Sequence, residues 1–257
     1  LMASTVSDSA AETNPPPDRG VEFFDKQEGA FFRRVDWWAF WATFVLSFGA
    51  YFYTNAPTVT LEDSGELAVA SDYLGVPHPP GYPIYMALGK AANLVLGESR
   101  ALAVWGALFG ALSAFALLRL FAALDALDGD LPASPERLRQ VRIGEWLGRP
   151  AVAAALTIMA PLFWMTASRP MSDTAGLAAS LTAQAILLTA IVRQRAAASA
   201  GESPSAASAV RSGRLILLGA FMSAIAIGFR SQAAWLTLPV LALAILILAF
   251  SMYGFGD

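Results

Sequence analysis

"YPIYMALGKAANLVLG", residues 82–97, is the stretch whose reading decides the fold. It is apolar enough to be taken for a membrane span, yet it falls short of the roughly 20 residues a transmembrane helix needs and carries Lys90 near its middle. If it crosses a membrane, every later segment changes sides. Lys and Arg arbitrate, because short cytoplasmic loops collect them. With the N-terminus inside and residues 82–97 not crossing, 13 of the 17 basic residues fall inside, and Lys90, Arg100, Arg169 and Arg230 fall outside. Crossing would leave 7 inside and 9 outside, with Lys90 in the bilayer. The stretch is therefore expected to lie along, or dip into, the outer interface, where a Lys on an apolar helix snorkels to water.

Composition supports a membrane frame. The chain has 257 residues, 56% of them hydrophobic and 14% charged, with a mean hydropathy of +0.52, too apolar for an ordinary soluble domain. Six apolar runs read as spans: Trp37–Tyr53, Ala101–Leu124, Ala151–Ala167, Ala175–Val192, Leu215–Phe229 and Ala233–Phe250. The expected fold is all-α, a polytopic transmembrane helical bundle with interfacial helices in the first external loop, residues 55–100, and both ends inside. Residues 1–35, polar and Pro-containing, read as a disordered cytoplasmic tail and not a signal peptide. Residues 36–257 form the membrane module, with cytoplasmic loops at 125–149 and 193–214. In the first of these, Ser134 as N-cap and Pro135 at the first helical position predict a short surface helix; the second is Ala/Ser low complexity, expected to be disordered. Trp37, Trp38 and Trp41 read as an interface belt. The apolar run so close to residue 257 is expected to mark a chain truncated at its C-terminus. A net charge of -3 gives no reason to expect nucleic acid as a partner, and the absence of cysteine excludes disulfides, thiolate metal sites and a Cys nucleophile.

The chemistry concentrates just before the deciding stretch. "LEDSGELAVASDYLGVPHPPGY", residues 61–82, holds Glu62, Asp63, Glu66, Asp72 and the single histidine, His78, and no Lys or Arg lies between Arg34 and Lys90 to neutralise the acids. A helix is expected from Ser64, with Leu67, Ala70 and Leu74 on one apolar face lying flat on the membrane, Gly75 as its C-terminal cap and Pro77 as its stop. Asp63 and Glu66 have two readings. D-S-G-E matches a capping box, with Asp63 as N-cap and Glu66 reaching back. A carboxylate at a helix N-terminus is also kept ionised by the dipole, which suits a catalytic base. "HPPGYP", residues 78–83, reads as a rigid elbow. His78 at its start fits a general acid/base, a phosphate donor or a polar interface group; a lone His is a weak metal signal, so no metal site is assigned and a divalent metal stays open as a cofactor. Glu62 and Asp72 read as solvated charges.

The combination of residues 62–90 with "RALAVWGALFGALSAFALL", residues 100–118, resembles the N-terminal signature of a bacterial membrane-protein family of unassigned function related to animal protein O-mannosyltransferases, and through them the GT-C class of glycosyltransferases. The match covers roughly residues 35–125. The resemblance implies that an acid of the first external loop, Asp63 with Glu66 second, acts as the base on the acceptor; His78, by its own chemistry, joins them as a candidate catalytic group. It implies that cations at external span ends, Arg169 and Arg230, bind the phosphate of a lipid-linked sugar. Where that pattern is expected to carry a Glu-Val-Tyr-like element, this chain has "SRPMSD", residues 168–173, and Asp173 takes over part of its role. Tyr82 and Tyr85 are expected to line the acceptor cleft.

The implied function is transfer of mannose or a similar hexose from a polyprenyl-phosphate donor to a protein or glycan acceptor on the external face of a bacterial cytoplasmic membrane. The partners are then membrane lipids, the donor and acceptor, with other membrane subunits left open. Inverting sugar transfer needs one carboxylate base and stabilisation of the leaving phosphate, and the acidic loop and the two arginines supply both. Snorkelling at the interface is the plain alternative for the arginines. Two other classes compete: a non-catalytic membrane scaffold or subunit, and a transporter, against which the scarcity of ionisable residues inside the spans counts.

Overall fold

The computed structural model describes residues 34–56, 63–79, 81–128, 149–169, 172–199 and 206–253. The chain divides into two compact units, Leu1–Trp38 and Ala39–Asp257. Of the first, only the opening turn of a helix is described, so the architecture below is that of the second. Among the described residues every regular element is an α-helix: α1 (Arg34–Tyr53), α2 (Ser64–Tyr73), α3 (Pro83–Leu96), α4 (Glu98–Asp128), α5 (Arg149–Ile158), α6 (Pro161–Ala167), α7 (Asp173–Ser199), α8 (Ala206–Phe229) and α9 (Ala233–Tyr253). The tail before Arg34 and the helix expected at Ser134 lie outside the described residues.

α7 is the central helix, packed against α4 on one side and α8 and α9 on the other. Its sequence explains this position: Ala175, Ala178, Ala179, Ser180 and Ala183 are all buried, and small side chains let helix backbones approach closely where no water drives association. Bare backbone serves the same end on its neighbours. A methyl group at Gly219 of α8 would strike Leu187 of α7, and one at Gly228 would strike Ile84 of α3. Hydroxyls inside these helices bond to the preceding turn, Ser180 to Gly176 O, Ser223 to Gly219 O and Thr237 to Ala233 O, so these three need no water.

Three stretches are long and apolar enough to cross a membrane among the described residues: Val104–Leu124, Asp173–Gln194 and Val210–Phe229, with a shorter apolar segment at Ala233–Ile247. The run expected as one span at 151–167 is instead two short helices. Pro161 lacks the N–H that would continue α5, and Ala160 before it adopts φ -59°, ψ 135°, the extended backbone that a following proline imposes. Tyr51 of α1, fully buried, donates its hydroxyl to Ile158 O at this break (3.1 Å) and packs edge-on against Trp164. Gly110 makes room for the Tyr51 ring. The Ala/Ser segment expected to be disordered is largely helical: α7 runs to Ser199 and α8 starts at Ala206, as the high helix propensity of alanine favours.

α3, with 14 residues, extends about 21 Å, less than the roughly 30 Å of a hydrocarbon core, and is not among the candidate spans. Its start is also packed against the bundle. Leu67 and Ala70 of α2 and Tyr82, Tyr85 and Met86 at the start of α3 join Phe109, Ala175, Ala178, Ala226, Phe229 and Ala233 in one core cluster, so the loop helices dock on the bundle. Leu74, expected on the apolar face with Leu67 and Ala70, takes the left-handed turn (φ 51°) one residue before the expected Gly75 cap and is 60% exposed. Asp72 is not a solvated charge: the Lys90 ammonium donates to its backbone carbonyl and to its carboxylate (2.9 Å), tying α3 to α2.

Two substitutions test the packing at the helix break. Tyr51→Phe, which removes one hydrogen bond, is expected to cost about 1 kcal/mol. Gly110→Val, which drives a side chain into Tyr51 and Ala167, is expected to cost about 1–3 kcal/mol or more. Thermal unfolding in detergent reads both, and an unchanged midpoint for Gly110→Val would contradict the contact.

Candidate functional site

α2 starts at Ser64, which puts Asp63 at its N-cap position and Glu66 in its first turn. The capping-box reading does not hold, since Asp63 makes no side-chain cap hydrogen bond and Glu66 turns away to the elbow. One Glu66 oxygen accepts the backbone N–H of His78 (2.6 Å) and the other pairs with its ring Nδ1 (2.8 Å). A carboxylate only accepts, so Nδ1 carries the proton. In the neutral ring, bare Nε2 then accepts the Tyr82 hydroxyl (3.0 Å). Asp63 Oδ2 stands 3.8 Å from the same Nε2.

The elbow is built to hold this arrangement. Gly81 has φ 102°, a conformation L side chains rarely adopt, and its N–H closes a turn onto His78 O. Tyr82 follows at φ 48°, a left-handed position that a tyrosine takes at a cost of about 1–3 kcal/mol, and Pro83 opens α3 at its first position. Tyr82 is 3% exposed, and its ring lies edge-on to His78 and 5.9 Å from the Arg230 guanidinium carbon. Arg230, just past the end of α8, pairs through Nη1 with Asp173, the first residue of α7 (2.5 Å).

Six of the expected site residues thus form one connected line: Asp63, Glu66, His78, Tyr82, Arg230 and Asp173. Tyr85 lies beneath it, fully buried within the core cluster. Arg169 stands elsewhere. It lines a cavity of about 510 Å³ with Thr54, Ala56, Met159, Pro161, Trp164, Met165 and Ser168, walled by the end of α1 and by α6, which Trp164 ties to Thr54 (3.0 Å). None of the connected line reaches that cavity. Arg230 and Asp173 are legible in sequence as two charges at span ends, but their partnership is not, because nothing local links α7 to the turn after α8. The Lys90–Asp72 tie escapes a sequence reading for the same reason.

The electrostatics follow from the contacts. The two His78 hydrogen bonds, that of the side chain first, hold the Glu66 carboxyl below the usual range. Its bond to Glu66 pushes His78 above the ordinary imidazole value, aided by the Glu66 and Asp63 charges and opposed by desolvation and Arg230. Burial pushes the Tyr82 phenol up. Asp63, Glu66 and His78 bring one ligating atom each within 4.8 Å of one another, a spacing that could hold a divalent ion.

The family described as "Protein O-mannosyl-transferase TMEM260 N-terminal domain" matches residues 63–253. The chain belongs to this family. The match begins at Asp63 and carries on through the bundle to α9, well past the 35–125 region on which the elbow motif rests. The chain is also similar to "Protein O-mannosyl-transferase tmem260" of Dictyostelium discoideum, 36% identical over 55 residues, which are 21% of this chain and 7% of that protein. The chain thus spans a small part of the curated relative it matches. No solved structure matches.

The clamp between Glu66 and His78 has a checkable pH signature. The raised His78 pKa contributes stability that is full below the unfolded imidazole value and is lost as pH rises through the folded one. The lowered Glu66 pKa contributes stability present above the unfolded carboxyl value and lost as pH falls through the folded one. The clamp is therefore strongest between the ordinary carboxyl and imidazole ranges. NMR titration of the single histidine is expected to give a value above that of free imidazole, falling back in Glu66→Gln; an ordinary value in wild type would contradict the clamp.

Proposed function

We propose that this chain is the N-terminal part of a membrane mannosyltransferase of GT-C type, which moves mannose or a similar hexose from a polyprenyl-phosphate donor to a protein or glycan acceptor on the external face of a bacterial cytoplasmic membrane. The observation that carries the reading is the single line from the Asp63 carboxylate to the Arg230 guanidinium through His78 and Tyr82, which puts a base and a cation on one surface. Membership of a family described as protein O-mannosyl-transferase supports the same class.

Hydrogen bonding distinguishes the two acids. Both Glu66 oxygens accept from His78, so Glu66 orients the histidine. Asp63, half-exposed and without a capping bond, is the base. It takes the proton of the acceptor hydroxyl as that oxygen attacks the anomeric carbon and the bond to the lipid phosphate breaks, with inversion at carbon. His78 Nε2, 3.8 Å away, provides the next stop for the proton, and the imidazolium so formed lies between the Glu66 and Asp63 carboxylates. Arg230 offsets the charge of the departing phosphate.

Sugar transfer by membranes containing the full-length protein tests this. Asp63→Asn is expected to lower transfer about 10²–10⁴-fold with folding retained, while Arg230→Ala raises KM for the donor. Full activity of Asp63→Asn would make the loop a structural element and favour the scaffold reading.

The proposed topology, with the N-terminus inside and residues 82–97 not crossing, has its own test. The chain has no cysteine, so single substitutions report cleanly. Val76→Cys, on an 84% exposed residue, is expected to react with a membrane-impermeant maleimide in intact cells, and Ser203→Cys, in the second loop expected inside, only after permeabilisation. The reverse pattern would invert the topology.

A further inference from the structure

Arg230 meets a carboxylate of its own chain, that of Asp173, in this structure. Both side chains are about one-third exposed, 28% and 33%, so an arriving anion competes with Asp173 for the guanidinium. The α7 turn that carries Asp173 passes flush against Arg230: a methyl group at Gly176 would come within 3.0 Å of the Arg230 Cβ. The base of the Arg230 side chain is therefore set close to the α7 backbone, and the exchange of partners falls to rotation further out along the side chain. A displaced carboxylate at the rim of an apolar cluster then requires a new donor.

One candidate donor lies in the core cluster that the first turns of α7 help to form. Tyr85 is 1% exposed, and its hydroxyl is buried with no hydrogen-bond partner, a state rarely found in folded proteins without a reason. Its ring belongs to the cluster formed by Ala175 and Ala178 in the first turns of α7 and by Ala226 and Phe229 at the end of α8, the elements that carry Asp173 and Arg230. The Asp173 charge reaches it, adding to burial in pushing the phenol upward, so the hydroxyl keeps its proton and remains a donor.

We propose that Tyr85 is a positioning residue of the donor site: its buried hydroxyl donates to the Asp173 carboxylate when the phosphate of a lipid-phosphate sugar displaces Asp173 from Arg230. The proposal rests on the reading of Arg230 as the phosphate cation. In the empty site Asp173 holds the arginine in place; in the loaded site Tyr85 holds Asp173 out of the way of the incoming anion. The tyrosine touches neither substrate nor base.

A double-mutant cycle on the purified full chain in nanodiscs tests it, with undecaprenyl phosphate as the probe and calorimetry as the readout. Tyr85→Phe removes only an unpartnered oxygen, so its thermal midpoint is expected to stay at or above that of wild type while affinity falls about five- to tenfold. Asp173→Asn, with no charge to rehouse, is expected to bind at least as tightly as wild type, and Tyr85→Phe in that background to cost nothing further. An equal loss from Tyr85→Phe in both backgrounds, or no loss in either, overturns the role of Tyr85 and leaves Arg230 as the phosphate cation. Failure of wild type to bind the probe, or unchanged binding in Arg230→Ala, overturns the donor reading and the proposal with it.

Discussion

The bidentate grip of Glu66 on His78 is the contact on which the candidate site depends. One carboxylate takes both the backbone and the ring N–H of a residue twelve positions later, and so converts a loop rich in proline and glycine into a closed unit. Such charge-assisted bonds are short and directional. Because Nδ1 is committed to Glu66, Nε2 faces Tyr82 and Asp63, and because both Glu66 oxygens are committed to His78, Asp63 is the acid that the histidine does not hold by a hydrogen bond. Two acids of similar intrinsic strength are thus told apart by which one the histidine bonds.

The clamp is effective only because the loop is anchored to the bundle. α2 contributes Leu67 and Ala70 to the same apolar cluster as α7 and α8, and α3 enters it with Tyr82, Tyr85 and Met86. Close approach is allowed where backbone is bare, as at Gly228 beneath Ile84. The left-handed backbone at Tyr82 is repaid by burial of its ring between His78 and Arg230. Burial of an aromatic ring, worth several kcal/mol, exceeds a strain of about 1–3 kcal/mol. The Lys90–Asp72 tie closes the two loop helices from the other side.

A second constraint is the break between α5 and α6. Pro161 ends one helix and starts the next, and Tyr51 and Trp164 fasten both halves to α1. The cavity that Arg169 lines exists because of this break, which separates Arg169 from the Arg230 line. Two arginines that look equivalent as external charges therefore occupy different chemical settings.

Sequence by itself determined the helical class, the apolar stretches and the loop in which the chemistry collects, because length, hydropathy and the punctuation of Gly and Pro are local properties. It also picked out Asp63, Glu66, His78, Tyr82, Asp173 and Arg230 as residues of interest. Only the tertiary structure decided who pairs with whom. D-S-G-E reads on paper as a capping box, and the elbow, by presenting two N–H groups to Glu66, draws that side chain away from the helix start. Lys90 and Asp72 read as an interfacial cation and a solvated acid until α3 folds back on α2. The pairing of Asp173 with Arg230 depends on α7 and α8 lying side by side, which follows from the packing of small residues along their length. Partner choice among charges is set by distances between elements, and those distances are written in the shape of the core and not in the order of the residues.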